Sequence, residues 1–289
     1  MKRNSVLFVG CGDLGIRTGM ILLEQGWLVT GARRDPARLP PGFAGIAADY
    51  TAAGSLDFLG ESRPDFVVTS FNPSDRSVEG YRRGFTQAAQ NLLAGLGDHR
   101  PAGILMVSST RVFAERAGGW VDEDSPLAGD DPRALAIIEA EQALRQSPHP
   151  VCVLRCAGIY GAPDGRLLNK VRRGEWGAGQ ALRYGNRIHR DDCAGFMAYL
   201  LAATAAGDQL APVYIGADDL PAPQAEVERW LGQRLGLPRN PEWAPGATAE
   251  AFSIGHKRCS NRLLHASEYK LVYPDYRSGY GAVLAAVAG

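Results

Sequence analysis

The chain has 289 residues, of which 45% are hydrophobic and 35 are glycine, so it can bury a sizeable core connected by many tight turns. Its 31 basic and 31 acidic residues cancel, which argues against nucleic acid or an anionic membrane surface as a partner. Every apolar run is shorter than the roughly 18 residues of a membrane span, and the N-terminal run is too short for a signal peptide.

Short apolar runs alternate with helical patterns along the first half of the chain. The predicted strands are Val6–Val9, Leu28–Thr30, Ile46–Ala48, Phe66–Thr69, Ile104–Val107 and Val151–Leu154. The predicted helices are Gly15–Gln25, Arg82–Leu96, Ala134–Arg145, Asp192–Ala203, Gln224–Leu235 and Ser278–Val287. Continuous Val/Ile/Leu strands separated by helices are typical of a parallel sheet that is covered on both faces. The sequence therefore predicts an α/β fold with a Rossmann-type doubly wound sheet.

The pattern loosens after Ile159, where Gly, Pro and Arg become frequent in GAPDGRLLNKVRRGEWGAG. We therefore predict an NAD(P)-binding Rossmann domain over residues 1–159, with 188–215 returning to it. Residues 160–187 and 216–289 are predicted to form a smaller C-terminal lobe that binds the substrate.

A glycine motif of the form GxGxxG lies between the first strand and the first helix. Gly10 suits the tight turn, Gly12 lets the backbone approach a pyrophosphate, and Gly15 allows close packing of helix against strand. The helix N-terminus adds N–H groups and a partial positive charge. The motif predicts dinucleotide binding, against the alternative of a glycine-rich turn without a ligand. The predicted loop also contains Cys11, Asp13 and Leu14.

Two arginines, Arg33 and Arg34, follow the second strand, where NAD-preferring sites usually carry an acidic residue. Their charge suits the 2′-phosphate of NADP. We therefore expect NADP as the preferred cofactor and NAD as the second choice; two solvated loop arginines are the alternative interpretation.

Five further stretches stand out together: AADYTAAGSL, MVSSTRVFAE, LRCAGIYG, NRIHRDD and KRCSNRLLHASEYKLVYPDYRSGY. Their order and spacing over nearly the whole chain resemble the extended and atypical short-chain dehydrogenase/reductase superfamily, of the NAD-dependent epimerase/dehydratase type. The resemblance implies further cofactor contacts from Asp49, Tyr50, Ser70, Phe71, Asn72, Ser108, Cys156, Ala157, Gly158 and Ile159. It also implies that Ser109 takes the place of the family's catalytic serine or threonine.

The chain departs from this family at the segment DPRALAIIEAEQAL. Active members carry a Tyr-x-x-x-Lys pair there, whose tyrosine exchanges a proton with the substrate and whose lysine lowers the tyrosine pKa. By alignment on Ala140 and Glu141, Arg133 stands at the tyrosine position and Ile137 at the lysine position. Arginine stays protonated and isoleucine cannot influence a pKa, so the usual acid/base pair is absent.

Ser109, Arg133 and a tyrosine, either Tyr160 or Tyr81, are the candidate catalytic substitutes, and each has a purely structural alternative. Ser109 could hydrogen-bond a substrate oxygen, or only a loop backbone group. Arg133 could bind a carboxylate or phosphate, or begin a helix in solvent. Tyr160 could donate a proton, as could Tyr81, although aromatic residues in such loops more often pack.

Two functional hypotheses follow. The first is an NAD(P)-dependent oxidoreductase, epimerase or dehydratase that acts on a small hydroxy, carbonyl or sugar-nucleotide-like substrate with non-standard acid/base residues. The second is a catalytically silent NADP-binding sensor or scaffold. The five cysteines form no CxxC pair or Cys/His cluster, so we expect no metal site and a reducing, cytoplasmic location. We expect a small-molecule partner, and we leave open whether the chain forms a homodimer.

Overall fold

Seven parallel strands form the central sheet of the computed structural model, which describes residues 3–176, 182–238 and 255–288. The strands in chain order are β1 (Ser5–Val9), β2 (Leu28–Arg33), β3 (Phe43–Ala47), β4 (Phe66–Thr69), β5 (Gly103–Ser109), β6 (Trp120–Val121), β7 (Val151–Cys156), β8 (Gly158–Tyr160), β9 (Tyr184–Gly185), β10 (Arg187–His189), β11 (Val213–Gly216), β12 (Ala222–Pro223) and β13 (Arg258–Cys259).

The helices surround this sheet or belong to the C-terminal part of the chain. They are α1 (Asp13–Glu24), α2 (Phe58–Ser62), α3 (Val78–Tyr81), α4 (Ala88–Leu96), α5 (Pro132–Arg145), α6 (Arg166–Arg172), α7 (Arg190–Ala206), α8 (Gln224–Arg234), α9 (Arg262–Ala266) and α10 (Tyr276–Ala288). A π-helical segment, Arg82–Gln87, joins α3 to α4, and short 3-10 turns lie at Pro36–Arg38 and Thr110–Val112. None of the described helices is long and apolar enough to span a membrane.

The order of the strands in the central sheet is β11-β7-β5-β4-β1-β2-β3. Val6 of β1 lies opposite Val29 of β2 on one side and Phe66 of β4 on the other. From β1 the chain adds β2 and β3 on one side of the sheet. It then returns to the other side of β1 and adds β4, β5, β7 and β11 there. Ligands bind at such a reversal point, outside the carboxyl ends of the strands. The predicted doubly wound α/β fold is confirmed.

Each predicted strand coincides with or overlaps a strand of this sheet, and each predicted helix overlaps an observed one. The π-helical segment within the predicted helix Arg82–Leu96 was not foreseen, because hydrophobic periodicity does not register one extra residue in a turn. The seventh strand, β11, lies outside the predicted strands because VYIG is a very short run in a Pro- and Gly-rich stretch.

The described residues divide into two compact units. The first lies within Met1–Val112, Leu127–Arg155 and Cys193–Tyr214, and the second lies within Phe113–Pro126, Cys156–Asp192 and Ile215–Gly289. In the second unit, α6, α8 and α10 pack around an apolar cluster of their own, formed by Leu168, Val171, Ala222, Val227, Leu231, Tyr276, Tyr280 and Val283.

A buried ion pair fixes α5 within the first unit. Nη2 of Arg155 on β7 donates to Oε2 of Glu141 on α5 over 2.8 Å, and the two side chains are 3% and 2% exposed. The hydroxyl of Ser108 at the end of β5 donates to the same carboxylate. Buried charges are tolerated only when they are paired and hydrogen-bonded, so this network holds one register of α5 against β5 and β7.

Candidate nucleotide site and active-site residues

The turn between β1 and α1 needs glycine at two positions because of its own geometry. Gly10 has a φ of +80°, and a Cβ atom placed on it would lie 2.7 Å from the carbonyl oxygen of Ser70. A Cβ atom on Gly15 would lie 3.2 Å from Sγ of Cys11 and 3.4 Å from Cδ1 of Phe8. These positions therefore have the two structural roles that the sequence predicted for them, the tight turn and the close packing of helix on strand.

Gly12 is different, because neither its backbone nor its surroundings require glycine. Its φ is −94°, and a Cβ atom placed on it would have only the carbonyl oxygen of Gly10 nearby, at 3.9 Å. The residue is exposed directly before the first turn of α1, where backbone N–H groups have no partner within the helix. Packing within the protein therefore does not explain the glycine at position 12. A ligand that lies close to the backbone there would explain it.

A cavity of about 440 Å³ opens beside this turn at the carboxyl ends of the strands. Nine of the predicted cofactor residues line it: Gly10, Cys11, Gly12, Arg33, Arg34, Asp49, Tyr50, Ser70 and Asn72. Residues that the sequence did not single out complete the lining: Asp35, Arg38, Ala48, Thr51, Pro73 and Ser74. The other two residues of the predicted loop lie in the first turn of α1, where Leu14 is buried and the Asp13 carboxylate pairs with Arg17.

One end of the cavity is formed by polar groups that hold one another in place. Asp49 accepts hydrogen bonds from the N–H and the hydroxyl of Thr51, at 3.0 and 2.7 Å, and these bonds lower the pKa of the Asp49 carboxyl. The Tyr50 hydroxyl accepts from the N–H of Asn72 at 3.1 Å. The buried ring of Phe71 lies 5.2 Å from the Tyr50 ring and supports it from behind.

Three arginines line another edge of the cavity, and they differ in how far they are already engaged. Nη1 of Arg33 donates to the carbonyl oxygen of Cys11 at 3.1 Å, which fixes its side chain beside the turn. Arg38 pairs with Asp35 at 3.2 Å in a largely exposed salt bridge. Arg34 is exposed and makes no hydrogen bond or ion pair with any residue that the structure describes. Its guanidinium donors are therefore not engaged by the described part of the chain.

The two serines at the end of β5 have different environments. Ser108 is buried with its hydroxyl on Glu141, so only its backbone is available to a cofactor. Ser109 is half-buried, and its Oγ accepts from the N–H of Arg111 at 3.2 Å. On α5, Ile137 is 1% exposed and packs in the core. Arg133 is half-buried, and its backbone N–H is capped by Asp131 at 3.0 Å.

A cluster at the carboxyl ends of β4 and β5 joins residues that are distant in the sequence. Nη2 of Arg111 donates to Oδ2 of Asp131 at 2.7 Å, and its guanidinium carbon lies 5.5 Å from the centre of the Tyr81 ring. The backbone N–H of Arg111 reaches Ser109. Arg111 therefore links Tyr81, through its side chain, to the predicted catalytic serine, through its backbone. The sequence could have indicated Arg111, because this arginine directly follows the Ser-Ser-Thr sequence at the end of β5. Its partners become known only from the tertiary structure.

In the second unit, β8 and the residues before it carry the remaining predicted cofactor contacts. Cys156 and Ala157 are buried, whereas Gly158 and Ile159 are exposed. Their backbone is tied to neighbouring segments, since the N–H of Gly158 donates to the carbonyl oxygen of Asn186 at 3.1 Å.

The environment of Tyr160 opposes the proposed role in proton donation. Its hydroxyl donates to the carbonyl oxygen of Asp275 at 3.3 Å, and its ring packs 4.5 Å from Tyr280 and edge-on to His189 at 5.2 Å. Burial, reinforced by the nearby Asp218 carboxylate, raises the pKa of Tyr160 further above its usual value. The structure thus supports the packing alternative for this residue.

Asp218, directly beyond β11, is a buried acid in the same unit. It is 2% exposed, Oδ1 accepts from the N–H of Leu220 at 3.3 Å, and Oδ2 has no hydrogen-bond partner among the described residues. Burial raises the pKa of this carboxyl to about 8, although the Arg187 guanidinium acts in the opposite direction.

The comparisons with known proteins agree with this architecture. A structure from Methylobacillus flagellatus, described as that of an NAD-dependent epimerase/dehydratase, is 34% identical, covers all of both chains and superimposes with a TM-score of 0.83. The chain belongs to the NAD-dependent epimerase/dehydratase family. No family model and no curated protein matches it.

Two more distant members of the fold show which nucleotides such structures hold. The Bordetella bronchiseptica enzyme WbmG, in complex with NAD and UDP, is 18% identical over 97% of this chain and 92% of its own, with a TM-score of 0.77. The human epimerase family protein SDR39U1 (isoform 2), with NADPH, is 20% identical over 96% of this chain and 98% of its own, with a TM-score of 0.74.

Metal ligands were not expected in this epimerase/dehydratase chain. Among the residues that the structure describes, no group of three or more His, Cys, Asp or Glu side chains is arranged to hold a metal ion.

The two glycines of the turn are predicted to respond differently to a methyl group. Gly10→Ala should lower the melting temperature of the apoprotein by several degrees, because alanine is strained at a φ of +80° and its Cβ would crowd the Ser70 carbonyl. Gly12→Ala should shift it by no more than about one degree. Scanning calorimetry measures both. An equal loss in the two variants would show that Gly12 is required by the fold itself.

Asp218 is predicted to make stability depend on pH. Its pKa is about 8 in the folded chain against an ordinary 3.8, so the folded state holds a proton that the unfolded state releases, and stability falls between about pH 4 and pH 8. The melting-temperature gain of Asp218→Asn over the wild type should therefore grow from about pH 5 to pH 8. The exposed Asp98→Asn is the control. A gain that does not change with pH would contradict this account.

Proposed function

We propose that the chain is an NADP-preferring enzyme of the epimerase, dehydratase or reductase type, with Ser109 at its active site. Its substrate would be a small hydroxy, carbonyl or sugar-nucleotide-like molecule. The observation that carries the proposal is Gly12, which is exposed beside the cavity at the N-terminus of α1 without any structural need for glycine. A bound pyrophosphate would supply that need.

The residues around the cavity suit the parts of a dinucleotide. The Gly10–Gly15 turn would hold the pyrophosphate, and Asp49 with Tyr50 would border the adenine. Ser70 and the two residues after it would follow the cofactor along the sheet edge. When bound, the cofactor supplies hydride transfer, while the chain supplies orientation and proton movement.

The charge at the edge of the cavity supports NADP over NAD. Arg33 is already fixed against the turn and Arg34 keeps its donors, so the two together can receive a phosphate on the ribose. Both cofactors occur in structural neighbours, NAD in the Bordetella bronchiseptica enzyme and NADPH in the human protein.

Ser109 and Arg133 are the residues of the proposed active site that the sequence singled out. Ser109 is half-buried at the carboxyl end of β5 with a hydroxyl that can still donate. Arg133 offers a guanidinium whose hydrogen-bond donors are not engaged by any described residue, and it suits an anionic substituent of the substrate. None of the five cysteines forms a disulfide in the part of the chain that the structure describes, which supports a reducing, cytoplasmic location.

The second candidate is an NADP-binding sensor or scaffold without turnover. It is favoured by Ile137, which is buried where the family resemblance places the catalytic lysine, and by the packed environment of Tyr160. The two candidates differ in one measurement. Purified protein that binds NADPH but never oxidises it in the presence of a broad panel of carbonyl compounds would count against the enzyme.

Cofactor choice can be tested by calorimetry with NADPH and NADH. We expect the wild type to bind NADPH at least about tenfold more tightly, the equivalent of about 1.4 kcal/mol. Arg33→Ala combined with Arg34→Ala should remove most of this difference while leaving NADH affinity within about threefold. The exposed Arg63→Ala is the control. Equal losses for both cofactors, or a preference for NADH in the wild type, would contradict the assignment of these arginines.

A further inference from the structure

The missing tyrosine–lysine pair leaves the proposed enzyme without a proton donor, and the cluster around Arg111 points to a replacement. Tyr81 is the last residue of α3 and directly precedes the π-helical segment Arg82–Gln87. Both segments pack on the loop that lines the nucleotide cavity. A Cβ atom on Gly84 would lie 2.3 Å from the carbonyl oxygen of Asn72, and the N–H of Ser74 donates to the carbonyl oxygen of Gly80. The position of Tyr81 is therefore tied to the wall of the cavity.

The backbone directly after Tyr81 departs from α-helical geometry. Arg82–Gln87 is π-helical, and π-helical turns inside α-helices are frequent at functional sites because they change the direction of neighbouring side chains. The segment is held in place from the other side, since the hydroxyl of Thr86 donates to Glu139 of α5 at 3.0 Å.

Tyr81 itself combines accessibility with a nearby cation. Its side chain is half-buried, and its hydroxyl makes no hydrogen bond with any described residue. The Arg111 guanidinium lies over its ring, 5.5 Å from the centre. Arg111 is held by Asp131 at 2.7 Å and by its own backbone bond to Ser109, while its buried Nε has no hydrogen-bond partner among the described residues. The guanidinium is thus fixed beside the phenol, while the backbone of the same residue holds the Ser109 hydroxyl oxygen.

We propose that Tyr81 is the catalytic proton donor of this chain and that Arg111 is the positioning residue beside it. The inference rests on the proposed function. In the reduction, the carbonyl carbon of the substrate receives a hydride from NADPH and the carbonyl oxygen receives the Tyr81 proton. The products are an alcohol, NADP⁺ and a phenolate, which takes its proton back from water. The Arg111 cation stabilises the phenolate, and Ser109 donates to the same substrate oxygen.

The first measurement follows binding rather than turnover. We use 4-nitrobenzoate as the probe, because a carboxylate oxygen resembles the carbonyl oxygen as it gains negative charge. Calorimetry of the NADP⁺ complex should show an affinity about tenfold lower in Tyr81→Phe, the effect of one lost hydrogen bond to a charged acceptor. Tyr199→Phe, which alters another half-buried tyrosine of the first unit, should bind like the wild type, and NADPH affinity should stay within about twofold in both variants.

The second measurement follows the reduction of 4-nitrobenzaldehyde by NADPH. Tyr81→Phe should lower kcat by about 100-fold, the usual contribution of a positioned acid, and leave KM nearly unchanged. Arg111→Lys should keep more activity than Arg111→Met, because a cation, although not the same hydrogen bonds, is restored.

The outcomes separate the two proposals. Wild-type turnover or unchanged 4-nitrobenzoate binding in Tyr81→Phe would overturn the assignment of Tyr81 alone. Wild-type protein that binds NADPH but neither binds 4-nitrobenzoate nor reduces the aldehyde would overturn the assignment together with the enzyme. A wild-type protein that binds no NADPH would refute the proposed function, because that function requires the cofactor.

Discussion

The close approach of three backbone segments at the carboxyl end of β1 is the constraint on which the rest of the site depends. Gly10 turns against the carbonyl of Ser70, and Gly15 brings α1 against Cys11 and Phe8. Because both contacts exclude a side chain, the N-terminus of α1 is directed at the edge of the sheet. Gly12 stands exposed between them, directly before the first turn of α1, whose backbone N–H groups have no partner within the helix.

This arrangement explains how a chain can keep a nucleotide site and alter its catalytic helix. The buried ion pair between Arg155 and Glu141 holds α5 in place, and it makes no use of the positions that Arg133 and Ile137 occupy. This ion pair therefore holds α5 without a tyrosine or a lysine at these two positions, and Ile137 adds to the core packing. The neighbouring helix carries Tyr81 beside Arg111, and there we place the proposed proton transfer.

The strands, the fold class and the roles of Gly10 and Gly15 could be predicted because they depend on local pattern and on steric requirements of single residues. The surroundings of Tyr160 could not be predicted in this way. Its hydroxyl donates to Asp275 and its ring packs against Tyr280, and both residues lie more than a hundred positions later in the chain. The cluster of Tyr81, Arg111 and Asp131 could not be predicted either, because its members come from three separate segments of the chain. Sequence pattern identifies which residues line a sheet edge, but it does not say which of them face each other.

The central claim is that the glycine turn binds a dinucleotide through its backbone, and Gly12→Val tests it most directly. Isothermal titration calorimetry with NADPH should detect binding to the wild type and none to the variant, because the valine side chain would occupy the space next to the backbone where the pyrophosphate approaches. The melting temperature of the apoprotein would show that the variant is folded. A folded Gly12→Val protein with unchanged NADPH affinity would contradict the account.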